Sequence, residues 1–373
     1  MSAEPKRVLV FQSDLGGGGA ERSVLNLVNG LDRERFAPCL VLNKAKGPYL
    51  VSVRPDVPII ELGAKRMRGA LVGLVREIRR QRPDILFSTM QGPSVMLWLA
   101  KKLARSKASL VLRESNNWTA RGVSSQGIGQ RVVGMAFRSA DRVVCLSDGV
   151  NDDTQRRYGR VCTRTIYNPI NVASIRREAA DRSGVTPQWE PKETRKAVEL
   201  LAVGRLTRQK GFDLLIHAAS QVADLPWNLT ILGEGPDLAS LLSQIRSLGL
   251  QDRVALPGFV PNPYPWFAAA DLFVLSSRWE GFGHVIVEAM ATGTAVLSTR
   301  CPSGPDEIIT NRVDGLLCDP ESSDALASSL RELITNADLR QGFAAAASET
   351  PARFDVASIV GQYEALFDEV LTA

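Results

Sequence analysis

Two glutamates, Glu280 and Glu288, stand eight residues apart in SSRWEGFGHVIVEAMATG (276–293) and bracket Gly281, Phe282 and Gly283, with His284 next in line. Ionised carboxylates accept hydrogen bonds, and acceptance from vicinal hydroxyls is a common way for a protein to hold a sugar. The glycines permit a tight turn into a helix over 284–291, whose free N–H groups would face an anion at its start. Glu280 falls in the turn and Glu288 lies more than one helical turn further on, so the two are offset and need not share a proton. Taken alone, the stretch fits equally well an acid favoured by the helix dipole followed by a solvated helical glutamate.

Two further stretches carry related chemistry. VGRLTRQKGFDLLI (203–216) holds Arg205 and Lys210 five apart, at a strand end and helix entry. One is a planar fork and the other a point charge, a pair suited to a diphosphate; read singly, they are two surface cations. SDLGGGGAERSVLNLV (13–28) opens a helix, and Gly16, Gly17, Gly18 and Gly19 allow close backbone approach to a ligand. It is not a dinucleotide fingerprint: counting G-x-G-x-x-G from Gly16 meets Glu21 at the third glycine position, and no G-K-[ST] closes a phosphate loop. Metal chemistry has little to build on. His217 and His284 are the two histidines, and the five cysteines (39, 145, 162, 301, 318) never stand in C-x-x-C spacing, which reads as reduced, mostly buried thiols.

The elements that must position these residues alternate along the whole chain. RVLVFQS (7–13), DILFST (84–89), SLVLRES (109–115) and RVVCLS (142–147) read as buried parallel strands, with amphipathic helices over 20–31, 67–81 and 94–105. After YNPINVASI (167–175) comes a polar segment whose proline, glycine and charge content marks a linker, about 176–196. The pattern then restarts with VELLAVGRL (198–206), LTILGEG (229–235), VALPGFV (254–260), LFVLSS (272–277) and TAVLST (294–299). A chain of 373 residues is long enough for two cores. The expectation is α/β: two doubly wound domains, 1–180 and 197–352, facing across a cleft, with every motif above at a strand's carboxyl end.

Charge divides unevenly. Residues 1–180 hold 30 Lys and Arg against 15 Asp and Glu, net +15, and the remainder carries net −10. KRMRG (65–69), REIRRQR (76–82) and KKLARSK (101–107) could dock on an anionic membrane leaflet or be the outer faces of ordinary helices. Nucleic acid is disfavoured because these runs lack interleaved aromatics. No apolar run reaches the roughly 18–20 residues of a membrane span, and the first apolar run is too short for a signal sequence, so a cytoplasmic, at most peripheral, protein is expected.

Taken together the pieces resemble the retaining glycosyltransferases of family 4, which have the GT-B fold. The resemblance runs in order through GGGGAERS (16–23), YNPI (167–170), VGRLTRQKG (203–211), LGEGP (232–236), EGFGHVIVE (280–288), similar to that family's E-x7-E signature, and CPSGPDEIITNRVDGLLCDP (301–320). It implies that Arg205 and Lys210 hold a nucleoside diphosphate without a metal, that Glu288 bonds the ribose and Glu280 the donor sugar, and that backbone groups from Gly281 to His284 line the donor. It implies further that Gly17, Gly18 and Gly19 close on the phosphates and that a last helix, about 353–373, returns to the first domain. The co-substrate would be a nucleotide sugar, UDP-linked by family inference, with no cofactor. The acceptor would be a lipid-linked or growing polysaccharide at the cytoplasmic membrane face. Departure would be front-sided, Arg205, Lys210 and Glu280 being the catalytic set. One departure stands out: relatives often carry a first-domain histidine facing the sugar. RESNNW (113–118) occupies that strand end here, so Glu114 or Asn116 is expected to supply the contact. A nucleotide-sugar epimerase of the same fold and a non-catalytic sugar-nucleotide module are the competing readings; a nicotinamide dehydrogenase is disfavoured by the broken fingerprint.

Overall fold

The computed structural model describes residues 4–16, 18–181, 189, 192 and 194–372. The chain divides into two compact units, Met1–Ile170 with Phe354–Ala373, and Asn171–Arg353.

In the first unit, β1 (Lys6–Gln12), β2 (Phe36–Leu42), β3 (Ile59–Glu61), β4 (Ile85–Thr89), β5 (Ser109–Glu114), β6 (Arg142–Cys145) and β7 (Thr163–Thr165) form one parallel sheet in the order β3-β2-β1-β4-β5-β6-β7. Its central strands are runs of Val, Leu, Ile and Phe because both faces are covered: Val8 to Phe11 and Ile85 to Phe87 are buried. The strands that periodicity missed are short or carry a breaker. β2 contains Pro38, which is tolerated there for a positional reason. Leu40 N–H donates to Pro58 on the β3 side, so the missing N–H two residues earlier points the same way, to where β3 has not yet begun.

The closing helix, Val356–Thr372, belongs to this unit. Phe367 packs edge-on against Phe36 and Phe87, and Tyr363 against Phe87, with centroids 5.8–6.3 Å apart. Glu364 accepts from the Asp32 N–H at 2.7 Å and pairs with Arg35 at 2.8 Å. The returning segment Phe354–Ala373 brings four acids, and residues 171–180, with two arginines and one glutamate, fall to the other unit, so this unit holds 28 Lys and Arg against 18 Asp and Glu, net +10 rather than the +15 of residues 1–180.

In the second unit, β8 (Val198–Val203), β9 (Trp227–Leu232), β10 (Val254–Gly258), β11 (Leu272–Leu275), β12 (Ala295–Thr299) and β13 (Leu316–Cys318) form a second parallel sheet, ordered β10-β9-β8-β11-β12-β13. Its core gathers Leu200, Ala202, Phe212, Leu229, Ile231, Val274, Leu297 and Leu330. Helix Val172–Ala180 belongs here and not to the first unit, so the division falls at 170/171, earlier than the linker composition suggests. The reason is packing: Asn262 Nδ2 donates to Glu178 O at 3.0 Å, and Arg176 Nε to Ala291 O at 3.3 Å. Of the expected linker, residues 182–188, 190, 191 and 193 lie outside the described residues.

In both sheets the strand order reverses once, between β1 and β4 and between β8 and β11. Open sheets of this type bind ligands outside the carboxyl ends of the strands at such a reversal. The glycine loop follows β1. The Arg205–Lys210 and Glu280–Gly283 segments follow β8 and β11, on either side of the second reversal.

Candidate active site

In the second unit four loops meet at the carboxyl ends of β8, β9, β11 and β12, and glycines let their backbones touch. A Cβ on Gly233 would stand 1.9 Å from Gly204 O, one on Gly235 2.2 Å from Leu206 O, one on Gly211 2.1 Å from Ser276 O, and one on Gly304 2.0 Å from Phe282 O. The LGEGP and CPSGP motifs are therefore the seats on which the 203–211 and 280–283 loops rest.

Side chains then lock the first and third of these loops together. Arg278 N–H donates to Gln209 O at 2.8 Å, Gln209 Nε2 to Trp279 O at 3.0 Å, and Ser276 Oγ to Lys210 O at 2.9 Å. Arg278 reaches both carboxylate oxygens of Asp213 at 2.7 Å and donates to Arg208 O at 2.9 Å. Burial raises the Asp213 carboxyl, but the hydrogen bonds and charge of Arg278 outweigh it and hold the group below the usual carboxylate range. A folded-state pKa below the unfolded one stabilises the fold above the unfolded value, and that gain is lost as pH falls through the folded value. Asp213 is 48% exposed, so Asp213→Asn is expected to cost only roughly 0.5–1 kcal/mol near pH 7. Urea unfolding across pH checks this: the difference from the parent should vanish in acid, and a pH-independent difference would remove the ion pair as its cause.

Lys210 and Glu280 meet directly. Glu280 Oε1 accepts from Lys210 Nζ at 2.7 Å and from Ser277 Oγ at 2.6 Å, with the two charged side chains 16% and 8% exposed. The lysine stem crosses Gly204, where a Cβ would lie 3.0 Å from it. Arg205, by contrast, is exposed and its side chain has no partner among the described residues. The two cations expected to act as a matched pair thus differ: one is held and aimed, the other free to swing. Helix His284–Ala291 starts after Gly283 (φ 98°) with no side-chain cap, so its N-terminus is available to an anion. Phe282 is core and offers only its main chain, and His284 stands edge-on to its ring at 5.5 Å. Glu288 is buried on this helix. The arrangement can grip an anion with Lys210, Arg205 and the helix start, beside a carboxylate able to accept from hydroxyls.

In the first unit, helix Gly19–Gly30 begins after Gly18, again without a side-chain cap. Gly17 lies outside the described residues. The Glu21 carboxylate folds back over Gly18, within 2.5 Å of where a Cβ would stand; an anion arriving there meets that charge and must displace it. Of the pair at the β5 end, Glu114 is 1% exposed and already engaged. It accepts from Gln91 Nε2 at 2.8 Å and from the Ser115 and Asn116 N–H groups at 2.8 and 3.1 Å, and burial raises its pKa. Glu114 therefore shapes the turn, and half-buried Asn116, accepting from Arg121 at 3.0 Å, is the member turned outward. Among the described residues no group of three or more His, Cys, Asp or Glu is placed to hold a metal ion.

Sequence reasoning missed Ser277, Arg278 and Asp213. Ser277 could have been found three residues before Glu280; the Arg278–Asp213 pair, 65 residues apart, leaves no periodic trace.

Residues 17–174 match the family described as Glycosyltransferase Family 4, and residues 187–350 the family described as Glycosyl transferases group 1. The chain is 26% identical over 367 residues to the N-acetylgalactosamine-N,N'-diacetylbacillosaminyl-diphospho-undecaprenol 4-alpha-N-acetylgalactosaminyltransferase of Campylobacter jejuni, covering 94% of this chain and 96% of that protein. It is 26% identical over 361 residues to the lipopolysaccharide core biosynthesis glycosyltransferase LpsE of Rhizobium meliloti, covering 95% of each. Among solved structures it is similar to Anabaena HepE in complex with UDP-glucose, with TM-score 0.82, 22% identity, and 97% and 99% of the two chains covered.

Proposed function

The chain belongs to the GT-B glycosyltransferases, its first half to family 4 and its second to group 1, and from that premise we propose that it moves a hexose or N-acetylhexosamine from UDP to a lipid-linked or growing polysaccharide acceptor. The observation that carries this reading is the meeting of Lys210 and Glu280 at the reversal point of the second sheet, beside exposed Arg205 and an uncapped helix start. Lys210, Arg205 and the helix N–H groups stabilise the departing diphosphate, whose charge grows as the glycosidic bond breaks. Glu280 accepts from donor-sugar hydroxyls once the diphosphate has drawn Lys210 off its Oε1, and Glu288 accepts from the ribose. The acceptor hydroxyl attacks the face that the diphosphate leaves and gives its proton to a phosphate oxygen, so the anomeric configuration is retained. Asn116 contacts the acceptor side.

The acceptor's lipid calls for a docking surface, and the basic stretches differ in where they lie. Arg79, Arg82, Arg105 and Lys107 line one hollow of about 590 Å³ with Asp84 and Leu371. That hollow sits at the amino ends of β4 and β5, where helices Ala70–Gln81 and Gln91–Ala104 end, and cations there answer the helix C-termini. Lys65, Arg66 and Arg68, exposed after β3, lie at the carboxyl end with the glycine loop. They are the better membrane contact. No helix among the described residues is long and apolar enough to cross a membrane.

The test is thermal unfolding with UDP, GDP, ADP or NAD in the presence of EDTA. UDP alone is expected to stabilise, by about 2.7 kcal/mol at a hundredfold excess over Kd. Stabilisation by NAD alone would return the chain to the dehydrogenase reading, and a UDP effect that needs a divalent ion would end the metal-free assignment. Release of free or altered sugar from UDP-sugar at an unchanged rate without acceptor would favour the epimerase.

A further inference from the structure

A buried cation in the first unit has no acidic partner among the described residues. Arg113, at the carboxyl end of β5, is 1% exposed. Its Nη1 donates to Thr89 Oγ1 at 3.1 Å and its Nη2 to Asn168 Oδ1, and its charge lies close to Tyr363 of the closing helix. No carboxylate pairs with it among the described residues. Burying an unpaired guanidinium is costly, so its place invites a reason.

Asn168 is the next link. The same Oδ1 and the Gly19 carbonyl oxygen, 3.0 and 2.8 Å from Ser23 Oγ, share the single Ser23 hydroxyl proton. Ser23 sits in the opening turns of helix Gly19–Gly30, and Gly19 is the last residue of the glycine run. Asn168 belongs to the segment by which the chain leaves the unit. That segment is tied to the returning chain, Ile170 N–H to Phe354 O at 2.8 Å and Val356 N–H to Ile170 O at 3.1 Å, and to the same helix by Asn26 Nδ2 to Pro169 O at 2.8 Å. A neutral amide oxygen that must accept from two donors is held by the charge of one of them, since charge-assisted hydrogen bonds are about twice as strong as neutral ones.

We propose that Arg113, Asn168 and Ser23 form a positioning relay that fixes the start of the glycine-loop helix against the crossover segment 167–170. Arg113 pins the Asn168 amide, and Asn168 Oδ1 and Gly19 O share the single Ser23 hydroxyl proton, which ties the opening turn of the helix to that amide. The relay's bearing on turnover rests on the reading that this loop closes on the donor phosphates.

Ser23→Ala removes the hydroxyl and both of its contacts; alanine suits a helix and leaves Arg113 bonded to Asn168. Amide hydrogen exchange over residues 15–22 is expected to quicken about fivefold, the worth of one net hydrogen bond, while exchange in β4 and β5 stays unchanged. KM for the donor should rise with kcat little altered, and Ser23→Thr, which restores a hydroxyl, should reverse both effects. Arg113→Met should quicken the same amides with Ser23 intact. Unchanged exchange over 15–22 in Ser23→Ala, or a rise shared equally by the whole unit, overturns the relay. Quickened exchange with an unchanged donor KM keeps the relay and instead removes the phosphate role of the loop.

Discussion

Lys210→Ala is expected to lower kcat by about 10²–10³, as loss of one preorganised donor to a departing anion does elsewhere. The effect has two parts, and they separate. Lys210 Nζ lies 2.7 Å from Glu280 Oε1 in a mostly buried pair, so deleting the lysine also strands a carboxylate, which costs about 3–5 kcal/mol of stability when a buried partner is removed. Lys210→Ala alone should therefore melt early as well as turn over slowly. Lys210→Ala with Glu280→Ala removes both charges; it should regain most of the stability and none of the turnover. Lys210→Arg keeps a cation but cannot lie across Gly204 as the narrow ammonium stem does, so intermediate activity is expected. Melting curves and initial rates on all four proteins check this, and a double variant as active as the parent would sink the assignment of Lys210 to the diphosphate.

Gly211→Ala should damage the second unit's site, because a single methyl there meets backbone. Gly211 has φ 63°, and a Cβ there would stand 2.1 Å from Ser276 O. Left-handed backbone costs an alanine about 1 kcal/mol, and the clash must further part the loops that hold Lys210 and Glu280; together about 2–4 kcal/mol is expected. Gly249 supplies the control, with φ 69° and nothing within 4 Å of its Cβ position. Gly249→Ala should cost the backbone penalty alone and leave turnover untouched. Equal losses of stability in the two variants, measured by urea unfolding, would show that the close approach to Ser276 carries no weight.

Much of this site was legible along the chain because its parts are local. A buried parallel strand must be a run of apolar residues, and the loop that leaves its carboxyl end must hold glycine where backbones approach. LFVLSS followed by EGFGH, and VELLAV followed by GRLTRQKG, announce both facts within a dozen residues. The closing helix was expected to return to the first unit, and Phe367 and Tyr363 do pack on Phe36 and Phe87 there. Short edge strands such as Thr163–Thr165 were not legible, since three residues carry too little periodicity to distinguish a strand from a loop.

Residue type alone determined which groups could do chemistry here: carboxylates that accept, cations that meet phosphate, glycines that admit close backbones, and strands apolar enough to be covered on both faces. Only the tertiary structure decided how those groups are used. It paired Lys210 with Glu280 while leaving Arg205 loose, turned Glu114 inward, and linked a buried Arg113 through Asn168 to the glycine helix. Each of these depends on which strands lie side by side at the reversal of the sheet. Neighbourhood across a sheet joins residues 55 to 145 positions apart in the Arg113 relay and 70 apart in the Lys210–Glu280 pair. No periodicity in the chain encodes such separations, because they are set by packing helices on both faces and not by any local preference.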